Sequence, residues 1–366
     1  MEGTRLRVAI IYGGRSAEHE VSLRSAASVF GAADRNRYEL VPILITKQGS
    51  WYRMEAAVSS FAQGARPDEA QRVLLSHDPT DKGFLAVGSN GRMRPFPIDV
   101  VIPVLHGTYG EDGTIQGLLD LADLPYVGCG VTASSLGMDK ILMKGAFREA
   151  GLEVGPFFWF LRSQWRANRA GIVERLKHSC FPVFVKPANL GSSVGISRVD
   201  DPSGFAAAVE KAASFDRKVL VEDGIVGREL EVSVLGNEDP QASLPGEVVS
   251  HSEFYDYDEK YLKDTAELII PAALPDDISE KARSAAVTAF KAVDGSGLAR
   301  VDMFVAPDGR ILVNEINTLP GFTSISMYPK LWEVTGISYP QLIDRMVELA
   351  LERHRDRRSL RTDLVA

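Results

Sequence analysis

Asp302, Glu315 and Asn317 lie in a stretch whose turn signal allows their relative positions to be worked out. Residues 299–317 read as two apolar strands joined at Asp308-Gly309, the strongest short-range hairpin signal. With Asp308 and Gly309 as the two central turn residues, Pro307 faces Arg310, Asp302 falls opposite Glu315, and Arg300 falls opposite Asn317 on the same face. Like charges placed directly across a strand pair are destabilising, with side-chain roots about 5 Å apart, so the pairing asks for a cation. Three hard oxygen donors suit Mg²⁺, which usually shares its shell with substrate phosphates. The plain alternative is a solvated hairpin face. Val301, Phe304, Val305, Leu312 and Val313 argue instead for an interior sheet.

Four other stretches could carry chemistry. Residues 13–22, Gly-Gly-Arg-Ser-Ala-Glu-His-Glu-Val-Ser, follow a strand and open a helix whose free amides could hold an anion. They match neither the dinucleotide-binding glycine pattern nor a phosphate loop, and ordinary helix-dipole pairing accounts equally well for Glu18 and Glu20. Residues 105–114 end an apolar strand, where open parallel sheets place ligands, and His106 is suited either to a substrate carboxylate or to loop hydrogen bonds. Residues 185–195, Val-Lys-Pro-Ala-Asn-Leu-Gly-Ser-Ser-Val-Gly, set Lys186 at the end of a buried strand before a loop whose amides, with Ser192 and Ser193, form a concave anion site. Lys140, at a helix start, is a second candidate phosphate cation, or simply a surface lysine. Residues 221–231 connect two strands through a short hinge suited to a base edge and ribose hydroxyls, although each carboxylate taken singly reads as solvated.

The elements that must position these residues alternate. Strand patterns at residues 6–12, 39–45 and 99–105 interleave with helical patterns at 17–33 and 115–122, which predicts a parallel α/β domain over residues 1–128. A central segment, residues 129–225, carries helical 139–150, strand 156–161, helical 168–178 and strands 181–186 and 196–199. A third, residues 226–366, runs from strand 230–235 past an aromatic, charged stretch at 254–264 to helix 277–293, the hairpin and helix 339–354. It ends in a charged tail, 355–366, expected to be partly mobile. The fold class is therefore α/β and α+β multidomain.

With 366 residues, 45% hydrophobic and 25% charged, the chain reads as two or three ordinary globular domains. No run approaches the roughly 18 apolar residues that span a bilayer, and the N-terminus enters a strand directly, which predicts a cytoplasmic protein without a membrane partner. A formal charge of −8 argues against nucleic acid. The two cysteines, Cys129 and Cys180, have no metal spacing and are expected to be buried structural thiols.

Taken in order, these motifs resemble the D-alanine-D-alanine ligase family of ATP-grasp enzymes over residues 13–351. The stretches that carry the likeness are Gly-Gly-Arg-Ser-Ala-Glu-His-Glu-Val-Ser, Leu-His-Gly, Glu-Asp-Gly-Thr-Ile-Gln-Gly, the 185–195 loop, Phe-Tyr-Asp-Tyr-Asp-Glu-Lys-Tyr at 254–261, and Asn-Glu-Ile-Asn-Thr-Leu-Pro-Gly-Phe-Thr-Ser-Ile-Ser at 314–326. The resemblance implies an N-terminal α/β domain followed by a two-part ATP-grasp fold with nucleotide between its parts. It implies that the carboxylate of one D-alanine takes the γ-phosphoryl of ATP and that a second D-alanine attacks the acyl phosphate, giving a dipeptide for peptidoglycan precursors.

Carried onto this chain, the likeness gives Asp302, Glu315 and Asn317 as ligands of two Mg²⁺ ions, with Mn²⁺ as an alternative. It sets Arg300 and the Gly321 amide at the developing oxyanion. Lys140, Lys186 and Lys260 match the phosphate lysines, with Ser193 of the glycine loop beside them; Glu222, Asp223, Ile225 and Glu229 frame adenine and ribose. Glu18 would take the ammonium of the first D-alanine and His106 its carboxylate. Ser192 and Tyr261 would close the loop through Glu18, and Ser326 would receive the second carboxylate. Asp223 departs from the family pattern, at a position expected to offer mainly backbone. A homodimer is implied. The rival readings are a ligase using D-lactate as acceptor, from which the aromatic stretch ending in Tyr261 departs, and a non-catalytic nucleotide-binding regulator, which would lose a metal ligand or Arg300.

Overall fold

The structure is a computed structural model that describes residues 5–54, 70–249, 267–323 and 325–361. Lys260, Tyr261 and the rest of the aromatic stretch lie outside the described residues.

The first unit contains β1 (Leu6–Gly13), α1 (His19–Ala32), β2 (Tyr38–Ile45), β3 (Trp51–Arg53), β4 (Gln71–Leu75), β5 (Gly83–Val87), β6 (Met93–Pro97), β7 (Val100–Val104) and α2 (Thr114–Leu121). Its sheet runs β6-β5-β4-β3-β2-β1-β7. β1 pairs in parallel with β2 and β7, and Val8, Ala9, Ile10 and Ile11 are fully buried, as expected of a parallel strand covered on both faces. The remaining pairings are antiparallel, so the sheet is mixed, and its β3–β6 wing was not visible as strands in the sequence. Those strands are short, interrupted by Pro95 and Pro97, and largely exposed along one face.

α3 (Val131–Met138) and α4 (Lys140–Glu149) come next; Ala133, Met143 and Phe147 pack into the core of the third unit, while Ile141 of α4 packs on the central sheet with Ala188 and Leu220. α4 is started by Asp139, whose carboxylate accepts from the Ile141 and Leu142 amides, a cap typically worth about 1 kcal/mol. The central sheet, order β10-β9-β11-β8, is antiparallel throughout. It consists of β8 (Phe157–Leu161), β9 (Val183–Pro187), β10 (Ser197–Val199) and β11 (Lys218–Asp223), with α5 (Arg162–Ala167), α6 (Arg169–Glu174) and α7 (Phe205–Phe215) over an aromatic core of Phe160, Trp165 and Phe205.

The third unit is built on β12 (Arg228–Gly236), β13 (Gln241–Ala242), β14 (Gly246–Val249), β15 (Glu267–Ile269), α8 (Asp276–Ala292), β16 (Gly297–Val305), β17 (Ile311–Asn317), α9 (Met327–Thr335) and α10 (Tyr339–Ser359). Small residues Ala282, Ala286 and Ala289 recur on one face of α8, letting it lie close on β16 and β12. α10 joins the core beneath β1 and β7, so the last helix ties the third unit to the first. It does not fray at residue 355 as the charged tail suggested. Arg357 pairs with Asp120, and His354 with Asp123, which holds the helix to Ser359. Cys129 is buried with its thiol pushed up to about 11 by desolvation, whereas Cys180 is exposed, contrary to the expectation for both.

Candidate active site

β16 and β17 pair with Asp302 opposite Glu315 and Arg300 opposite Asn317, the register derived from the sequence, but by a different route. The turn is not the two-residue type. The Ala306 amide donates to the Arg310 carbonyl, and the Gly309 amide to the Ala306 carbonyl, around a three-residue loop, Pro307-Asp308-Gly309, in which Gly309 takes the left-handed conformation. That loop sets Val305 opposite Ile311 and Met303 opposite Val313, which alone would bring Asn314 opposite Asp302. A β-bulge between Met303 and Asp302 inserts Asn314 as an unpaired residue and returns Glu315 to Asp302. β17 is an edge strand of this sheet, not an interior one, and its outer edge is met by the Glu153 carbonyl on the Val313 amide.

The carboxylate pair is one end of a row. Glu231 on β12 stands opposite Asp302 on its other side. Two cations relieve the repulsion. Arg300 donates through Nε and a terminal nitrogen to both oxygens of Asp302, at 2.7 and 2.6 Å, and approaches Glu231 at 3.1 Å. Lys140 Nζ lies 3.2 Å from Glu315 and donates to the Leu190 carbonyl at 3.0 Å. Asn317 donates its Nδ2 to Asp302, leaving its carbonyl oxygen as an acceptor. Two carboxylates and an amide oxygen on one face fit a Mg²⁺ site that completes its shell with water and phosphate. No group of three His, Cys, Asp or Glu gathers as a metal cage among the described residues, and such a site needs none.

A turn further along α4, Lys144 is buried to 1% exposure and was not singled out in the sequence, although its spacing four residues from Lys140 sets both on one helix face. Glu222 on β11 is shared between Lys144 at 2.8 Å and Lys186 at 2.6 Å. Burial opposes the charge of Glu222, but the two ammonium groups outweigh it and hold the carboxyl down at about 2. The carboxylate of Glu222 is thus held between the two ammonium groups, one on each oxygen.

Glu18 immediately precedes α1, 7% exposed, with Gly107 and Gly191 so close that a Cβ at either would stand 3.1 or 3.2 Å from its Oε1. His106 follows β7. Its Nε2 meets Ser25 Oγ at 3.0 Å, while Nδ1 faces the Leu319 carbonyl at 3.2 Å and Glu111 at 3.7 Å. Burial would lower the imidazole, yet Glu111, Glu18 and the Leu319 carbonyl together raise it above its ordinary value, which favours the cation. The loop at residues 190–195 holds two overlapping turns, with Ser192 and Ser193 both at positive φ. Ser326 Oγ accepts from the Thr323 amide at 3.0 Å and sits against Gly321.

These groups line two adjoining cavities, of about 610 and 460 Å³. Glu18, His106, Arg300, Asn317, Gly321 and Ser326 face the larger. Lys186, Ser193, Glu222, Asp223, Ile225, Glu229 and Asp302 face the smaller. Lys140, Ser192 and Glu315 belong to both, so Glu315 stands at the seam with Asp302 just inside the smaller cavity.

Family models for the D-ala D-ala ligase N-terminus and C-terminus match residues 7–129 and 146–348. The chain belongs to the D-alanine-D-alanine ligase family. A D-alanine–D-alanine ligase of Bacillus cytotoxicus is 44% identical over 98% of this chain and 99% of its own length, and D-alanine–D-alanine ligase A of Escherichia coli K12 is 46% identical over 98% and 100%. Among solved structures, the D-alanine-D-alanine ligase of Coxiella burnetii superposes with a TM-score of 0.86 at 36% identity, covering 98% of this chain and 97% of that one. The VanG D-Ala:D-Ser ligase of Enterococcus faecalis gives 0.86 and 36%, covering 95% and 100%. The fold is thus the ATP-grasp ligase fold that the motifs implied.

Proposed function

We propose that the two cavities carry the two halves of one reaction: ATP-dependent joining of two D-alanines through an acyl phosphate. The observation that supports this assignment best is the seam, where Lys140 meets Glu315 and Arg300 meets Asp302, the partner of Glu315 across the strand pair. Nucleotide lies in the smaller cavity along the hinge after β11, with Lys140 and Lys186 toward its phosphates and Glu229 toward the ribose. The first D-alanine lies in the larger cavity, its ammonium on Glu18 and its carboxylate toward His106, whose charged form its neighbours favour. That carboxylate attacks the γ-phosphorus, and the bond from phosphorus to the ADP oxygen breaks. The amine of the second D-alanine, held through its carboxylate by Ser326, then attacks the acyl carbon and phosphate leaves.

Asp302, Glu315 and Asn317 would hold Mg²⁺, which when bound neutralises phosphate charge and orients the transferring group. Arg300, fixed between Asp302 and Glu231, and the Gly321 amide donate to the oxyanion as it develops; one such donor typically supplies about 3 kcal/mol of transition-state stabilisation. The loop at 190–195 closes over the acyl phosphate and excludes water. We place the enzyme in the cytoplasm as a homodimer, on the family resemblance, with light scattering as the check on its oligomeric state. Phosphate release with ATP, Mg²⁺ and D-alanine tests the reaction, with L-alanine, D-lactate and D-serine in the acceptor role. Release that requires D-alanine, with dipeptide as the product, is expected. D-lactate outcompeting D-alanine at neutral pH would replace this reading with the depsipeptide one.

A further inference from the structure

Lys144 is absent from the roles given above, yet among the described residues it is the most deeply buried lysine, at 1% exposure. Its ammonium makes two contacts that belong to different units of the protein. One is Glu222, on the central strand β11, at 2.8 Å. The other is the main-chain carbonyl of Asn314, at 2.9 Å. Asn314 is the bulge residue of β17, so this carbonyl is displaced from the regular ladder by the same irregularity that sets Glu315 opposite Asp302. A buried ammonium is stable only when paired and hydrogen-bonded, and here the pairing spans the hinge between the two walls of the nucleotide cavity.

We propose that Lys144 is a positioning residue for phosphoryl transfer, a pin that holds Lys186 at a fixed place relative to the Asp302–Glu315 pair. It acts through Glu222 on one side and through the bulge on the other. Its second effect is on charge. Lys186 shares the carboxylate of Glu222, at 2.6 Å, with Lys144, so two ammonium groups meet one carboxylate, and part of the positive charge of Lys186 is left for an anion. A one-to-one Lys186–Glu222 pair would be self-satisfied and a poorer partner for a phosphate. Lys140, one turn earlier, contacts Glu315 and the loop carbonyl of Leu190. One helix face thereby reaches the bulge, the hinge strand and the loop together.

This inference rests on the ATP-ligase reading, and the test separates the two. In Lys144→Met, which keeps the length of the side chain without its charge, KM for ATP should rise about tenfold or more while KM for D-alanine stays within about twofold, as expected when a supporting contact behind a ligand is lost. ADP affinity, measured by calorimetry, should fall in parallel. Adding Glu222→Gln to Lys144→Met should cost far less than Glu222→Gln alone, because only the single variant leaves two ammonium groups without their carboxylate. A purely structural role would lower the unfolding midpoint and raise both KM values alike, and that outcome overturns the proposal. So does an unchanged KM for ATP in a folded variant. If Lys144→Met does not fold, the same split is read from Lys144→Gln, with the same two outcomes decisive. Wild-type protein that neither binds ADP nor releases phosphate would instead refute the ligase reading.

Discussion

On the hairpin side of the cleft, carboxylates are met by cations carried on the same strand or on α4, Asp302 by Arg300 and Glu315 by Lys140, while Glu222 on β11 is met by Lys144 and Lys186. The opposite side, the loop at residues 190–195, offers turn amides and hydroxyls, with Ser192 and Ser193 in a backbone region that side-chain-bearing residues rarely adopt. The first wall gets its geometry from backbone pairing, which survives a change of side chain. The second gets its geometry from close approach, with Gly191 against Glu18, and a few tenths of an ångström matter there. Changes on the hairpin side should therefore remove chemistry and leave structure, whereas changes in the loop should weaken binding by degrees.

The sharpest way to break this contrast is Glu315→Gln. The pairing of β16 with β17 is made by backbone groups, and the amide is isosteric, so circular dichroism and the denaturant midpoint should match the wild type. Loss of one charged oxygen at the seam should lower dipeptide formation on the order of a thousandfold, within the range seen when a single charge-stabilising group is removed. Turnover near the wild-type rate would take Glu315 out of the phosphoryl-transfer machinery.

The next largest effect concerns stability. Glu222 has a folded-state value of about 2 against an ordinary 4.5. A depressed carboxyl contributes stability that is complete above pH 4.5 and is lost as pH falls through 2. The contribution is on the order of 3 kcal/mol, part of which offsets the burial of Lys144, whose own value is pushed down by desolvation. In Glu222→Gln the fall of unfolding free energy between pH 4.5 and 2 should be shallower than in the wild type by that amount. An identical slope would mean that the two lysines do not hold Glu222 ionised.

The same contrast explains what the sequence could convey. Asp302 opposite Glu315 was legible because apolar alternation and a turn signal fix strand partners, yet two details of the derivation were wrong and cancelled. The turn holds three residues, and Asn314 is an extra one. Neither slip shows in the pattern, since Asn314 and Glu315 are both polar and either parity leaves a polar side chain toward the cleft. Lys144 escaped notice because burying a lysine depends on partners far along the chain, Glu222 and Asn314, the latter 170 residues away. The wing of β3 to β6 escaped because short, proline-bearing strands carry little alternation. The terminal helix was cut short because Arg357 and His354 read as solvated charges until Asp120 and Asp123 are seen beside them.

The smallest effect tests the loop wall. Gly191 has an ordinary backbone conformation, so alanine there is not excluded by strain. Its Cβ, however, would stand 3.2 Å from Glu18 Oε1, closer than a comfortable contact. Either Glu18 or the loop must give by a few tenths of an ångström. Glu18 is nearly buried, at 7% exposure, so the loop should yield. A displacement of about 1 Å at a reacting centre costs up to a hundredfold, so this smaller shift in Gly191→Ala should raise KM for D-alanine by about three- to tenfold. Lys186 and Lys140 keep their partners, and KM for ATP should change little. If instead KM for ATP rises with that for D-alanine, the loop is rigidly coupled to the charged wall, and the two sides of the cleft answer as one body.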